Sequence, residues 1–223
     1  MKKIKIDFIL FDLIGTTIKD SNGGTSLIIN AFYESFHSNG HQISYELLNQ
    51  QRGKRKREAI QHILSHEGLD ERLTDKIYAN FIDSLNQSVH HFSEMEGTSE
   101  VFNFAKQKNI KVGVGSGLPL DFIHNLLPQV GWKASDFDYI NSSGSFPEGR
   151  PNPAMILDAM QKLNLTNPQK ILKVGDTVVD VQEGKNANTL TAMVLTGTQG
   201  KEALGELVPD YIFESVKEVM KVL

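Results

Sequence analysis

Polar side chains capable of chemistry stand where apolar runs stop. Asp12 follows Phe8-Ile9-Leu10-Phe11, and Ser116 follows Val112-Gly113-Val114-Gly115. Arg150 lies in Gly149-Arg150-Pro151, and Asp176 and Asp180 bracket Thr177-Val178-Val179 directly after Gly175. Aspartate stays ionised at neutral pH and can attack as an oxygen nucleophile. A carboxylate and a phosphate dianion repel, so a hard cation must sit between them. Asp12, Asp176 and Asp180, helped by the main-chain carbonyl of Ile14, would supply an oxygen-rich Mg²⁺ site. Ser116 and the amides near Gly117 lie where a loop leads into a helix, a place that can hold phosphate oxygens. Arg150 can neutralise charge that builds on a transferring group. Singly, each has a plainer reading: a strand-end Asp opening a turn, a helix N-cap in GDTVVD, a solvated arginine turn. Their order, each on a strand-end loop, is much less expected by chance than any one of them.

The elements that must position these residues alternate. The run up to Asp12 is short, β-prone and ends at Gly15-Thr16-Thr17, as a buried parallel strand does. A carboxylate at such a tip lies in the crevice where open α/β sheets place ligands. Lys19 to Gly24 reads as a flexible linker. From Thr25 to about His91 the pattern is helical, closing with a stripe of Tyr78, Ile82, Leu85, Val89 and Phe92. Strands are expected at 110–115, 137–141, 170–175, 190–195 and 211–213. Helices are expected at 101–108, 120–130, 154–163, 178–187 and 216–222. This predicts a doubly wound, mostly parallel, Rossmann-like α/β sheet, with an all-helical unit inserted after the first strand. The run Gly113-Val114-Gly115-Ser116-Gly117 faintly suggests a dinucleotide loop but lacks the full GxGxxG spacing.

Composition narrows the class. The 223 residues are 39% hydrophobic and 22% charged, enough apolar material for a real core. A net charge of −4 argues against nucleic acid or an anionic membrane as partner. The absence of cysteine excludes disulfides and thiolate metal sites, and suits the cytoplasm. No run approaches the ~20 apolar residues that span a bilayer, and MKKIKIDFIL lacks the pattern of a signal peptide. An intracellular soluble protein is expected.

With these motifs in this order, the chain resembles the haloacid dehalogenase superfamily of phosphotransferases over essentially its whole length. The resemblance implies an α/β core of residues 1–18 and 94–223, and a mobile helical cap of residues 19–93. It implies an aspartyl-phosphate on Asp12, Mg²⁺ at Asp12, Asp176, Asp180 and the Ile14 carbonyl, and Arg150 as a catalytic cation. Gly15, Thr16, Ser116 and Gly117 are the phosphate-binding positions it suggests.

Ile14 departs from that pattern. Ordinary phosphatases of the superfamily carry there a second Asp that protonates the leaving alcohol. Phosphonoacetaldehyde hydrolase (phosphonatase) also lacks it, and uses a cap lysine to form a Schiff base so that the carbon leaves as an enamine. Here the segment Arg52-Gly53-Lys54-Arg55-Lys56-Arg57-Glu58-Ala59 is similar to that family's Gly-x-x-Lys cap motif, as is Gly149-Arg150-Pro151-Asn152-Pro153. Lys56 extends inward the stripe of Ile60 and Ile63. Lys54, Arg55, Arg57 and the helix N-terminus are expected to lower its pKa, partly opposed by Glu58. The plainer reading is a solvated basic helix end. Ala59 stands where phosphonatases carry His, and Arg52 where they carry Met. The leading substrate is a small phosphonate or phosphorylated metabolite; the alternative is a phosphomonoesterase of the phosphoglycolate phosphatase kind. A silent phosphate-binding module would not need all three Asp, and dehalogenation would not need the metal. His62, His66, His90 and His91 read as surface or hinge residues and Trp132 as packing. Assembly as a homodimer is implied by resemblance alone.

Overall fold

The computed structural model describes residues 5–22, 24–197 and 199–223. Six parallel strands form one sheet: β1 (Phe8–Phe11), β2 (Lys111–Ser116), β3 (Tyr139–Ser142), β4 (Ile171–Gly175), β5 (Leu190–Val194) and β6 (Tyr211–Phe213). Their order is β6-β5-β4-β1-β2-β3, and Phe11 sits opposite both Val114 and Val174. The chain runs outward one way through β2 and β3, then returns to build β4 to β6 on the other side. The crevice at that reversal opens at the C-terminal tips of β1 and its neighbours.

β1 is buried on both faces, which is why it reads as FILF rather than alternating. Phe8 and Leu10 pack with Met155, Ile156 and Ala159 of α7 (Ala154–Lys162). Ile9 and Phe11 face α5 (Thr98–Gln107) and α6 (Leu120–Gln129) through Phe102, Phe122 and Ile123. Helix α8 (Val178–Asn186) starts directly after the β4 tip, with Thr177 and Asp180 in a reciprocal capping box.

The helical segment comprises α1 (Leu27–His37), α2 (Tyr45–Asn49), α3 (Lys56–His66) and α4 (Thr74–Ser88). Ser26 and Ser44 cap α1 and α2 by accepting from the amides of Ile29 and Leu47. Helix α1 lies along α4, with the Phe32 and Phe81 rings 4.5 Å apart. An antiparallel pair, Ile18–Lys19 with Ser93–Glu94, brackets the segment at its two crossings. One contiguous apolar cluster runs from the α5 face of the sheet into α1, α3 and α4.

Three expectations change in detail. The Lys19–Gly24 stretch is not a plain linker: Ile18–Lys19 and Ser21–Asn22 are strand, Asp20 is buried, and Gly23 lies outside the described residues. Helix α4 buries Thr74, Ile77, Phe81 and Leu85, leaving Tyr78 and Ile82 half-buried. Its apolar arc is wide enough to suit two stripes, and the Phe32 contact selects the one containing Phe81. The closing helix is a 3₁₀ turn at Val216–Lys221.

Candidate active site

Asp12 leaves β1 with its amide donating to the Val174 carbonyl (2.8 Å), which fixes it at the sheet tip. The following turn passes through Gly15 at φ +86°, where a Cβ would lie 2.4 Å from an Asp176 carboxylate oxygen. Only glycine satisfies both the left-handed backbone and that approach. Thr16 Oγ1 donates to Asp176 Oδ1 (2.9 Å) and Thr17 Oγ1 to the Asp12 carbonyl (2.9 Å). Gly15 and Thr16, expected at phosphate, both lie against Asp176, and the Thr16 hydroxyl orients its carboxylate.

Asp12, Asp176 and Asp180 are buried, and each offers a carboxylate oxygen within 4.8 Å of the others. Burial and the neighbouring carboxylates raise the pKa of both Asp12 and Asp176, although Arg150 and Lys173 pull Asp12 back and Thr16 pulls Asp176 back. Burial also works against ionisation of Asp180, but Lys173, Arg150 and Thr177 outweigh it and hold its pKa low. Asp180 is already engaged. Its Oδ1 accepts from Arg150 Nη1 and Lys173 Nζ, both at 2.8 Å, and its Oδ2 from Thr177. The donor set is hard oxygen, crowded and short of positive charge, and it fits Mg²⁺. Asp12 and Asp176 are the carboxylates with oxygen to spare.

Arg150 Nη1 also donates to Asp12 Oδ1 at 2.6 Å. Burial opposes its charge, but Asp12, Asp180 and Glu183 more than offset that and raise its pKa. The geometry thus brings together Asp12, Arg150, Asp176 and Asp180. It adds Lys173 and Glu183, which the sequence reading missed; both are fully buried and 3.4 Å apart. A lysine in the all-buried strand ILKVG, and a glutamate one helical turn after Asp180, were the available signals.

A cavity of about 30 Å³ opens beside Asp12. The sheet contributes Asp12, Ile14, Ser116, Arg150 and Asp176 to its wall; the helical segment contributes Ile28, Arg52, Gly53 and Lys56. Lys56 is buried, 5.7 Å from the Phe32 ring centroid, with Nζ donating to the Lys54 carbonyl (3.2 Å). Its pKa is lowered to about 7, first by burial, then by Arg150 and Arg52, against Asp12 and Asp20. Lys54, Arg55 and Arg57, expected to lower it, are not the cause. Arg55 turns to Glu58 and the Phe146 and Pro147 carbonyls, and Arg57 to Asp75.

Gly117 lies at the seam rather than on the cavity wall. Its carbonyl accepts from the Lys56 amide (3.3 Å), and a Cβ there would lie 2.3 Å from the Lys54 carbonyl oxygen. Glu58 completes this seam by accepting from the Gly149 amide (3.0 Å). Ser116 is on the wall, its Oγ accepting from the Leu118 amide (3.3 Å). Ala59 is buried off the wall, the four histidines in question are exposed, and Trp132 packs edge-on against Phe102 and Phe137.

No helix among the described residues is long and apolar enough to cross a membrane. Phosphonoacetaldehyde hydrolase of Lactiplantibacillus plantarum is 29% identical over 209 residues, covering 86% of this chain and 77% of that protein. A hydrolase from Pseudomonas syringae superposes with TM-score 0.86 at 16% identity, covering 97% of each chain. A phosphonoacetaldehyde hydrolase-like protein from Oleispira antarctica superposes with TM-score 0.82 at 21% identity, covering 99% of this chain and 91% of that one. The sequence pattern of the family described as haloacid dehalogenase-like hydrolase matches residues 9–194, so this chain belongs to that family.

Proposed function

We propose that the protein is a Mg²⁺-dependent hydrolase that cleaves the C–P bond of a small β-oxo phosphonate. The observation that carries this reading is an amine poised near neutrality, Lys56, on the same cavity wall as the carboxylate Asp12. Its support includes the similarity to phosphonoacetaldehyde hydrolases and the apolar Ile14 where an acid would serve an ester. Neutral Lys56 condenses with the substrate carbonyl and releases water. Asp12 then bonds to phosphorus as the C–P bond breaks, and the electron pair moves to the iminium nitrogen, leaving an enamine. No oxygen leaving group forms, so no acid is needed at position 14. Water protonates the enamine, hydrolyses the iminium and releases phosphate from Asp12.

Arg150 orients Asp12 and neutralises the phosphonyl oxygens, and Ser116 contributes a further contact. Asp12, Asp176 and the Ile14 carbonyl would hold the Mg²⁺, which when bound screens the repulsion between carboxylate and phosphonate. Asp180, with Lys173, holds Arg150 in place. Residues 19–93 act as a cap, crossing to the core at the Ile18–Lys19 and Ser93–Glu94 pair, and its movement admits substrate to the cavity beside Asp12.

The test is borohydride reduction with phosphonoacetaldehyde, followed by mapping of the modified peptide. A stable adduct on Lys56, absent in Lys56→Ala, is expected. Phosphate release from monoesters alone, indifferent to Lys56→Ala, would instead make the protein a phosphomonoesterase.

A further inference from the structure

Beyond its charge, which helps to lower the Lys56 pKa, Arg52 has no assigned contact in the reaction above, yet it borders the same cavity as Asp12 and Lys56. It ends the α2 side of the loop into α3 and is 7% exposed. Its Nε donates to Asn49 Oδ1 (3.1 Å), and its Nη1 lies 3.6 Å from Asp20 Oδ2, beyond hydrogen-bond distance. Asp20 is itself engaged, accepting from Ser26 Oγ at 2.6 Å. Among the described residues neither terminal nitrogen of Arg52 donates a hydrogen bond. A buried guanidinium held along one edge presents its other edge as a planar fork, the shape that pairs with a carboxylate.

The cavity is therefore polarised. Its sheet side carries the machinery for phosphorus, with Arg150 committed to Asp12 and Asp180. Its other side, from the helical segment, carries Lys56 and then Arg52. In a two-carbon phosphonate aldehyde the carbonyl carbon ends in hydrogen, which offers a guanidinium nothing. Asp20 balances the Arg52 charge at 3.6 Å without taking a hydrogen bond from the fork, so a substrate that supplies acceptors to the fork is preferred over one that does not.

We propose that Arg52 binds a carboxylate on the carbon side of the substrate, so that the preferred class is a 2-oxo acid carrying a phosphonate on the next carbon. The inference rests on the C–P-cleaving reading and narrows it. Lys56 condenses with the ketone and loses water. The Asp12 oxygen bonds to phosphorus while the C–P electron pair goes to the iminium nitrogen. Water then protonates the enamine carbon, and hydrolysis of the iminium and of the aspartyl-phosphate returns the enzyme. The net reaction consumes one water and yields a 2-oxo acid and phosphate. The carboxylate, next to the carbonyl carbon, remains on Arg52 throughout.

The experiment compares phosphate release from 3-phosphono-2-oxopropanoate and from phosphonoacetaldehyde, each with Mg²⁺, in wild type and Arg52→Met. Wild type should favour the oxo acid. Arg52→Met should lose roughly 10- to 100-fold in kcat/KM on the oxo acid relative to the aldehyde, any change common to both substrates reporting the loss of its charge beside Lys56. Aldehyde preference in the wild type, or equal losses on both substrates, overturns the assignment while C–P cleavage stands. If neither phosphonate is cleaved, the reaction class falls and Arg52 with it. A metal-free readout uses the wild type alone: borohydride with pyruvate should label Lys56 more readily than borohydride with acetone, the ketone that lacks the carboxylate, and the reverse preference overturns the proposal.

Discussion

Asp12→Asn keeps the shape of the site and removes the nucleophile. Turnover of whichever phosphonate is accepted should fall at least ~10³-fold, with the fold unchanged by circular dichroism. Lys56 gives a pH signature. Its pKa is lowered to about 7, so the neutral amine grows as pH rises through that value. Borohydride trapping on Lys56 should therefore rise with a midpoint near pH 7 and approach a plateau above pH 8. A lysine at its ordinary value would keep climbing toward pH 10. The residues that do this work were legible to unequal degrees. Asp12, Arg150, Asp176 and Asp180 follow strand ends, and chain order alone placed them together. Lys56 was legible too, but for the wrong reason: its cationic sequence neighbours face away, while Arg150, nearly a hundred residues on, lies close enough to depress it. Lys173 was not picked out, and Arg52 was noted only as a departure from the family's Met, because a cation in a sequence does not announce whether its side chain faces inward.

Among the elements, the turn after β1 and the seam against α3 carry distinct consequences. Gly15→Ala meets both a left-handed backbone and the Asp176 carboxylate, and should cost roughly 1–3 kcal/mol of stability together with most activity. Chemical denaturation of the metal-free protein separates the two effects. Gly117→Ala should leave the sheet intact but hold α3 off its seat, since a Cβ collides with the Lys54 carbonyl. The expected result is a rise in KM larger than any loss of Tm. Sequence periodicity anticipated the sheet and its helices to within a few residues, because buried strands and amphipathic helices write their burial locally. It mistook the linker before α1, where Asp20 is buried and Ser26 donates to it. It also misjudged the inward face of α4, which only the partner helix decides. Gly117 looked like a phosphate loop for a similar reason: a glycine made necessary by a neighbouring backbone resembles one made necessary by a ligand.

Across the whole molecule, the crowded carboxylates set stability against function. The raised pKa values of Asp12 and Asp176 mean that the folded, metal-free chain holds those protons more tightly than the unfolded chain. The stability they contribute is complete below the unfolded value near 4 and is lost as pH rises through the folded values. At neutral pH the metal-free Asp176→Asn protein should consequently be more stable than wild type, by roughly 1–3 kcal/mol, while inactive. Mg²⁺ should raise the Tm of wild type more than that of the variant, as thermal melts with and without the ion would register.

The antiparallel pair that joins residues 18–19 to 93–94 tethers the helical segment at both its ends. A body fastened at neighbouring points can swing only as one piece, and a swinging piece must push solvent aside. If every catalytic cycle breaks the Lys56–Gly117 and Glu58–Gly149 contacts and remakes them, friction with the medium enters the turnover number. Sucrose or glycerol should then slow kcat in proportion to viscosity for a good substrate and leave it untouched for a poor one, whose chemistry is slower than the swing.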